Sequence, residues 1–312
     1  MSTTPPTGPR PRLPSPLQEV EDDRFARHGV SLTLKRDDLI HPDLPGNKYR
    51  KLALNLDAAV TAGHSTLLTF GGAYSNHLRA TAAAGRLLGM DTIGVVRGDE
   101  LATRPLNPSL TRCVADGMRL RFIDRSTYRR KTEPEVLAAL VHDTGADDAY
   151  VIPEGGSNSL AVQGCTALGE ELRGRTHTAA VACGTGGTLA GMAAGLAPDQ
   201  RALGIPVLKG GFLGPEIQAL QQRTFGAPTD NWHLDERFHF GGYARTPPQL
   251  TAFADDFEDR HGLPVERVYV AKLLYALTAL SEEGCFPPGT QVTAVITAAE
   301  PAAPAAQSST SR

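Results

Sequence analysis

Thr178-Ala179-Ala180-Val181-Ala182-Cys183-Gly184-Thr185-Gly186-Gly187-Thr188-Leu189-Ala190-Gly191 is the stretch on which the fold turns. Continued to Pro198, its length and low polarity invite comparison with a membrane span, but Gly184, Gly186, Gly187, Gly191 and Gly195 and several threonines interrupt it. A buried strand, a tight loop and a helix account for it better. Small residues in succession let backbone N–H groups converge, and the helix that follows adds the positive end of its dipole. A dianionic phosphate can be held there without lysine or arginine. Thr185 and Thr188 add hydroxyl donors. The run lacks the Gly-Lys-Ser/Thr ending of a nucleotide P-loop, and Leu189 stands at the third glycine of the dinucleotide fingerprint. A mononucleotide or a phosphorylated cofactor therefore fits better than NAD; the same residues also suit a plain strand-to-helix connection.

Outward from this stretch, short β-branched runs alternate with alanine- and leucine-rich segments, the pattern of βα units around a parallel sheet. Strands are expected at 30–35, 66–70, 92–96, 119–123, 149–152, 178–182, 201–208 and 292–296, and helices at 48–61, 76–88, 160–172, 188–194, 213–225, 248–261 and 271–283. The 312 residues predict two domains of an α/β protein. A hydrophobic share of 41% and 32 glycines with 6% aromatics suit tight turns and small-residue packing. No internal repeat is found. Residues 1–16 and 301–312, rich in proline, serine, threonine or alanine, are expected as flexible tails.

A second glycine-rich strand exit, Gly71-Gly72-Ala73-Tyr74-Ser75-Asn76-His77, runs into a helix in the same way. Ligands of open α/β sheets bind beyond the carboxyl ends of strands, so both exits are places for chemistry. Ser75 or Asn76 serves there as an ordinary N-cap; alternatively the exposed N–H groups take a substrate carboxylate. A third segment, Gly46-Asn47-Lys48-Tyr49-Arg50-Lys51, puts three cations at a helix start, where the dipole disfavours them. It reads as a solvated turn or as a sign of a nearby anion.

The net charge of −3, without long runs of either sign, offers no broad surface for nucleic acid or anionic lipid. Arg129-Arg130-Lys131 reads as a solvated helix end. Cys113, Cys165, Cys183 and Cys285 lie far apart, without metal-ligand spacing, and read as reduced thiols of a cytoplasmic protein. No metal site is expected. The N-terminus has no apolar signal core.

Taken together, Lys35-Arg36-Asp37-Asp38, the Gly46–Lys51 run continued by Leu52, Gly71 to His77, Pro153-Glu154-Gly155-Gly156-Ser157-Asn158 and Gly184 to Gly191 occur in the order of a known family. Over roughly residues 17–300 the chain resembles the 1-aminocyclopropane-1-carboxylate deaminase and D-cysteine desulfhydrase family, within the tryptophan-synthase-β-like class of pyridoxal-phosphate enzymes. The resemblance implies two open twisted parallel-type sheets with flanking helices and a cofactor, pyridoxal 5'-phosphate, in the cleft between domains. The large domain would take 17–49 and 153–300, and the small one 50–152. Lys48 would form the imine with the cofactor. Lys51, Gly184, Thr185, Gly186, Gly187 and Thr188 would surround its phosphate, Asn76 would bind its phenolic oxygen, and Cys183 would also contact the cofactor. Ser75 would move a proton at the substrate, and Ser75, Asn76, His77, Tyr243 and Tyr269 would face that substrate, a small amino acid. The family also implies a homodimer.

Two departures from the family bear on the reaction. Relatives carry Thr-Gly or Glu-Gly after the second tyrosine, where this chain has Val270-Ala271, and His-Thr-Gly-Gly near the end, where it has Ile296-Thr297-Ala298-Ala299. Thr297 is left as a neutral hydroxyl partner for the ring nitrogen. A neutral partner makes a weaker electron sink than a carboxylate. The expectation is therefore a lyase that converts a small amino acid by α,β-elimination to a 2-oxoacid and ammonia, D-cysteine desulfhydrase-like. A β-replacement synthase, a racemase, an ACC deaminase and a non-catalytic binder of the same cofactor are the alternatives.

Overall fold

The structure, a computed structural model, describes residues 10–44 and 46–298. In chain order the strands are β1 (Leu17–Val20), β2 (Ser31–Lys35), β3 (Thr66–Gly71), β4 (Asp91–Arg97), β5 (Met118–Ile123), β6 (Tyr150–Ile152), β7 (Thr178–Cys183), β8 (Arg201–Pro206), β9 (Trp232–Leu234) and β10 (Gln291–Val295). They form two sheets, one of six strands in the order β1-β2-β10-β7-β8-β9 and one of four in the order β5-β4-β3-β6. Every pairing is parallel except β1 with β2.

The helices are α1 (Asp23–Ala26), α2 (Asn47–Thr61), α3 (Asn76–Leu88), α4 (Pro108–Ala115), α5 (Arg125–Arg129), α6 (Pro134–His142), α7 (Ser159–Gly164), α8 (Thr166–Glu171), α9 (Gly187–Gly195), α10 (Leu213–Phe225), α11 (Pro248–His261) and α12 (Val270–Glu282). Among the described residues none is long and apolar enough to cross a membrane. Central strands such as β3 and β7 are buried along nearly their whole length, as a parallel sheet covered on both faces requires. On the six-stranded sheet, α11 and α12 pack one apolar core and α8, α9 and α10 the other.

The expected α/β architecture is present, with differences of detail. The short strands β1 and β9 and the helices α1, α4, α5 and α6 were not expected. The single helix expected over 160–172 is two, divided at Cys165, which ends α7 and starts α8. There α9 presses in at backbone contact: a Cβ on Gly191 would lie 2.2 Å from the Val162 carbonyl oxygen and 2.6 Å from Cys165 Cβ. The boundary expected at residues 49 and 50 falls inside the first turn of α2.

Residues 10–16 depart from the expectation of a flexible tail. Ser15 is buried, donates its hydroxyl to Asp37 at 2.6 Å, and receives Lys35 Nζ on its carbonyl at 2.6 Å. Arg50 binds Asp37 through Nε and Nη2 at 2.8 and 2.9 Å and Glu171 through Nη1 and Nη2 at 2.9 Å, while Lys35 pairs with Glu171 at 2.5 Å. Two cations and two carboxylates thus balance, and the lead-in segment at Ser15, β2, α2 and α8 are fastened together at the root of α2. The expected tail residues 1–9 and 301–312 lie outside the described residues.

Candidate cofactor and substrate cleft

A cavity of about 1010 Å³ opens where the carboxyl ends of strands from both sheets face each other. It gathers Lys48 and Lys51 from α2, the turn before α3, the 153–157 segment, the turn before α9, Tyr243, Tyr269 and Thr297. The residues expected at the site are therefore brought to one place.

The start of α2 depends on a glycine. Gly46 has φ +70°, and a Cβ on it would lie 1.5 Å from the carbonyl oxygen of Thr297, so no other residue fits beneath the strand-end of β10. One residue later Asn47 donates to Thr188 Oγ1 at 2.8 Å and accepts from Lys48 Nζ at 2.9 Å. Lys51, one turn along α2, donates to Ser157 Oγ at 2.8 Å and to Thr185 Oγ1 at 3.3 Å, and those two hydroxyls meet at 2.5 Å. The partners of both ammonium groups are thus neutral. Burial lowers Lys48 to about 8. Burial, aided by the charge of Lys48, lowers Lys51 to about 7.

The turn between β7 and α9 is built to meet an anion. Its N-cap, Gly186, is left-handed at φ 74°, and no side chain caps the helix, so the first N–H groups of α9 remain available. A Cβ on Gly186 would strike Ile217 Cγ1 at 2.4 Å; one on Gly187 would sit 3.1 Å from Ser157 Oγ and 3.3 Å from Lys51 Nζ; one on Gly184 would sit 3.3 Å from the Tyr269 hydroxyl. An ammonium group, two hydroxyls and an uncapped helix start lie around one spot, a donor set suited to a phosphate dianion. Cys183, at the strand end, lines the cavity. Burial pushes its thiol up to about 12, which keeps it protonated.

The turn between β3 and α3 differs. Ser75 Oγ accepts from Leu78 N at 3.3 Å and caps α3, the ordinary role foreseen for it. Asn76 Oδ1 accepts from Arg79 at 2.5 Å. His77 is buried and its Nε2 meets Thr69 Oγ1 at 2.8 Å; that hydroxyl donates to the Ile152 carbonyl, so Nε2 carries the proton. Its Nδ1 is buried without a hydrogen-bond partner. Burial, then the charges of Lys48 and Lys51, hold His77 neutral, well below its usual range. The ring lies against Gly156, where a Cβ would come within 3.1 Å of Cε1.

On the far side the rings of Tyr243 and Tyr269 meet edge to face at 6.1 Å and 70°. Burial raises both phenols, Tyr269 well above its ordinary value, so both stay protonated near neutrality. Thr297 and Ala298 are buried at the end of β10; Ala299 lies outside the described residues. Ala271 is buried on α12 and offers only a methyl group. Asn47 and Ser157 had no role assigned from the sequence. A signal was available for Ser157, because Pro153 to Asn158 leaves a strand end as the two glycine-rich turns do.

A family model described as pyridoxal-phosphate dependent enzyme matches residues 10–298. A putative 1-aminocyclopropane-1-carboxylate deaminase of Pyrococcus abyssi is 29% identical over 286 residues, which cover 86% of this chain and 85% of that protein. The D-cysteine desulfhydrase of Salmonella paratyphi B is 30% identical over 287 residues, 85% of each chain. Among solved structures, an ACC deaminase homologue superposes with a TM-score of 0.79 at 26% identity, over 94% of this chain and 91% of that one.

Proposed function

Because the chain belongs to the family of pyridoxal-phosphate dependent enzymes, we propose that it is a lyase acting on a small amino acid by α,β-elimination, in which the α-proton and the β-substituent leave and water completes the conversion to a 2-oxoacid and ammonia, with D-cysteine-like thiols, which lose their sulfur as sulfide or thiol, as its first substrates. The observation that carries this reading is the pair of lysines on one turn of α2, lowered to about 8 and 7, beside an uncapped helix start. Lys48 would hold the cofactor's aldehyde carbon, since an amine lowered to about 8 is partly unprotonated near neutral pH. Lys51, Thr185, Thr188 and the N–H groups of the 184–188 turn would hold its phosphate, Asn76 its phenolic oxygen, and Thr297 its ring nitrogen. When bound, pyridoxal phosphate supplies an electron-accepting ring that acidifies the hydrogen on the substrate's α-carbon.

The chain's own residues then orient and move protons. Ser75 accepts from Leu78 N, which leaves its own hydroxyl hydrogen free to be given at the substrate. The N–H groups at the start of α3 face the substrate carboxylate. Tyr243 and Tyr269, both protonated, act as donors to the side of the substrate that departs. The D-cysteine desulfhydrase relative supports a thiol leaving group, and the absence of a carboxylate at Ala271 supports elimination over opening of a cyclopropane.

A β-replacement synthase is the second reading. The cavity, at about 1010 Å³, stands at the upper end of the roughly 300–1,000 Å³ of small-molecule sites and leaves room for an added nucleophile. The proposal also takes 17–49 with 153–300 and 50–152 as the two domains, and the enzyme as a cytoplasmic homodimer, which sedimentation tests. The deciding experiment records the visible spectrum of the purified protein and scans D- and L-amino acids for 2-oxoacid release, with and without added thiol. Release of 2-oxobutyrate from the cyclopropane amino acid, with no product from D-cysteine, would overturn the order of substrates.

A further inference from the structure

Lys272, in the first turn of α12, is fully buried, and its ammonium group donates to two backbone carbonyls, His239 at 3.0 Å and Gly242 at 2.8 Å. Between and beside those carbonyls the chain takes a conformation that few residues adopt. Phe240, Gly241, Gly242 and Ala244 all have positive φ, at 53°, 89°, 121° and 55°. Two of these are not glycine, and such a stretch persists only where its surroundings hold it. The loop's own bonds are few: Gly242 N to the His239 carbonyl, Gly241 N to His239 Nδ1 and Arg245 N to the Gly242 carbonyl. Tyr243 sits on this loop and is partly exposed to the cleft.

The other end of the link is equally defined. Tyr269 stands at the start of α12, its N–H donating to Glu266 at 2.7 Å, and its carbonyl receives Leu273 N at 3.1 Å. Lys272 lies on the same turn. One side chain therefore joins the helix that bears one tyrosine to the loop that bears the other. A methionine would fill the space without the desolvation that a buried ammonium group suffers, so the charge is explained by what it holds.

We propose that Lys272 is a positioning residue whose bonds to the His239 and Gly242 carbonyls fix Tyr243 against Tyr269 and so shape the substrate end of the cleft. The inference rests on the proposed assignment of the two tyrosines to the reaction, and its test separates the two. Hydrogen exchange by mass spectrometry on Lys272→Met should show the 239–245 amides exchanging roughly 10-fold faster or more, with the 183–188 turn unchanged. Turnover of D-cysteine should fall roughly 10-fold in Lys272→Met and in Tyr243→Phe alike, and the double variant should lose less than about 2-fold beyond Tyr243→Phe. Unchanged exchange of the loop, or equal fold-losses of Lys272→Met in both backgrounds, would overturn the proposal. A wild-type turnover in Tyr243→Phe would instead sink the assignment of that tyrosine, while the exchange rates still judge the link itself. Should Lys272→Met fail to fold, Gly242→Ala decides. The added methyl has room, its nearest neighbours lying 3.9 Å away, but φ 121° disfavours it, so it should loosen the loop and lower turnover in the same way, and a wild-type loop and turnover would refute the link.

Discussion

The β3–α3 turn and the β7–α9 turn share a plan, a parallel strand ending in glycines that turn directly into a helix, yet they finish it differently. At α3 the chain supplies its own cap, Ser75, whose Oγ accepts from Leu78 N and leaves the earlier N–H groups uncapped. At α9 it supplies none: the cap position is a left-handed glycine, and Lys51 lies over the next one. A helix start left open by its own sequence, with a cation and two hydroxyls alongside, is completed by an outside anion. A helix start that caps itself has polar side chains to spare for a substrate. On the proposed reading, the difference gives the phosphate to the β7–α9 turn and the amino acid to the β3–α3 turn, with Lys48 lining the same cavity.

The largest expected effect comes from removing the group between the turns. Lys48→Ala should lower turnover on the order of 10³-fold or more and leave pyridoxal phosphate with the absorption of the free aldehyde, without the shifted band of a lysine imine that borohydride fixes to the protein; an active variant that still forms that band would break the scheme. Next comes a matched pair of glycines. Gly187→Ala places a methyl 3.3 Å from Lys51 Nζ, whereas Gly72→Ala meets nothing nearer than Arg97 Nη2 at 3.7 Å. The first should weaken cofactor binding by roughly 10- to 100-fold, the worth of a charged hydrogen bond, and the second should leave it nearly unchanged; titration of absorbance checks both.

The pH dependence of the cofactor-free protein sharpens the same contrast. Lys51 and Lys48 are lowered from 10.5 to about 7 and about 8, so between about 7 and 10.5 the unfolded chain binds more protons than the folded one. Stability should therefore rise with pH from 7 to 9. Lys51→Met should be the more stable protein at pH 7 and should flatten that rise, as thermal melts at successive pH values would show; an undiminished slope would mean that Lys51 is not the group concerned. The smallest effect belongs to the self-capped turn. Ser75→Ala should reduce stability by about 1 kcal/mol, whereas Ser75→Asn keeps a cap and should restore the melting temperature without restoring turnover.

Much of this was legible in the sequence because the central strands and the helices on them are long, apolar or glycine-punctuated, and buried on both faces. What escaped was short or locally disguised. Strands β1 and β9, of four and three residues, lie at the sheet's edges, where half of the burial that makes a strand readable is missing. α4 carried a usable signal, Asn107 as cap and Pro108 in the first turn, which reasoning from apolar periodicity passed over. The three cations at the start of α2 illustrate a limit of local reading. Their anions do exist, but Arg50 finds Asp37 and Glu171 within the protein, and only Lys48 and Lys51 are left for a ligand. Lys131, read as part of a solvated helix end, pairs with Glu154 at the rim of the cavity. Which cation goes where is decided by tertiary contacts that spacing along the chain does not encode.

The last of the described strands, β10, lies in the middle of its sheet, between β2 and β7, and the residues just after it close over Gly46. During vectorial synthesis the two halves of the large sheet are made far apart in time and share no ladder until residues 291–295 have left the ribosome. Until then β2 and β7 each expose a bare inner edge, open to pairing with a neighbouring chain. The nascent polypeptide thus carries Lys48, Lys51 and the β3–α3 turn for most of its synthesis before the rest of the cleft can close around them, and its exposure to chaperones and to premature association depends on one five-residue strand.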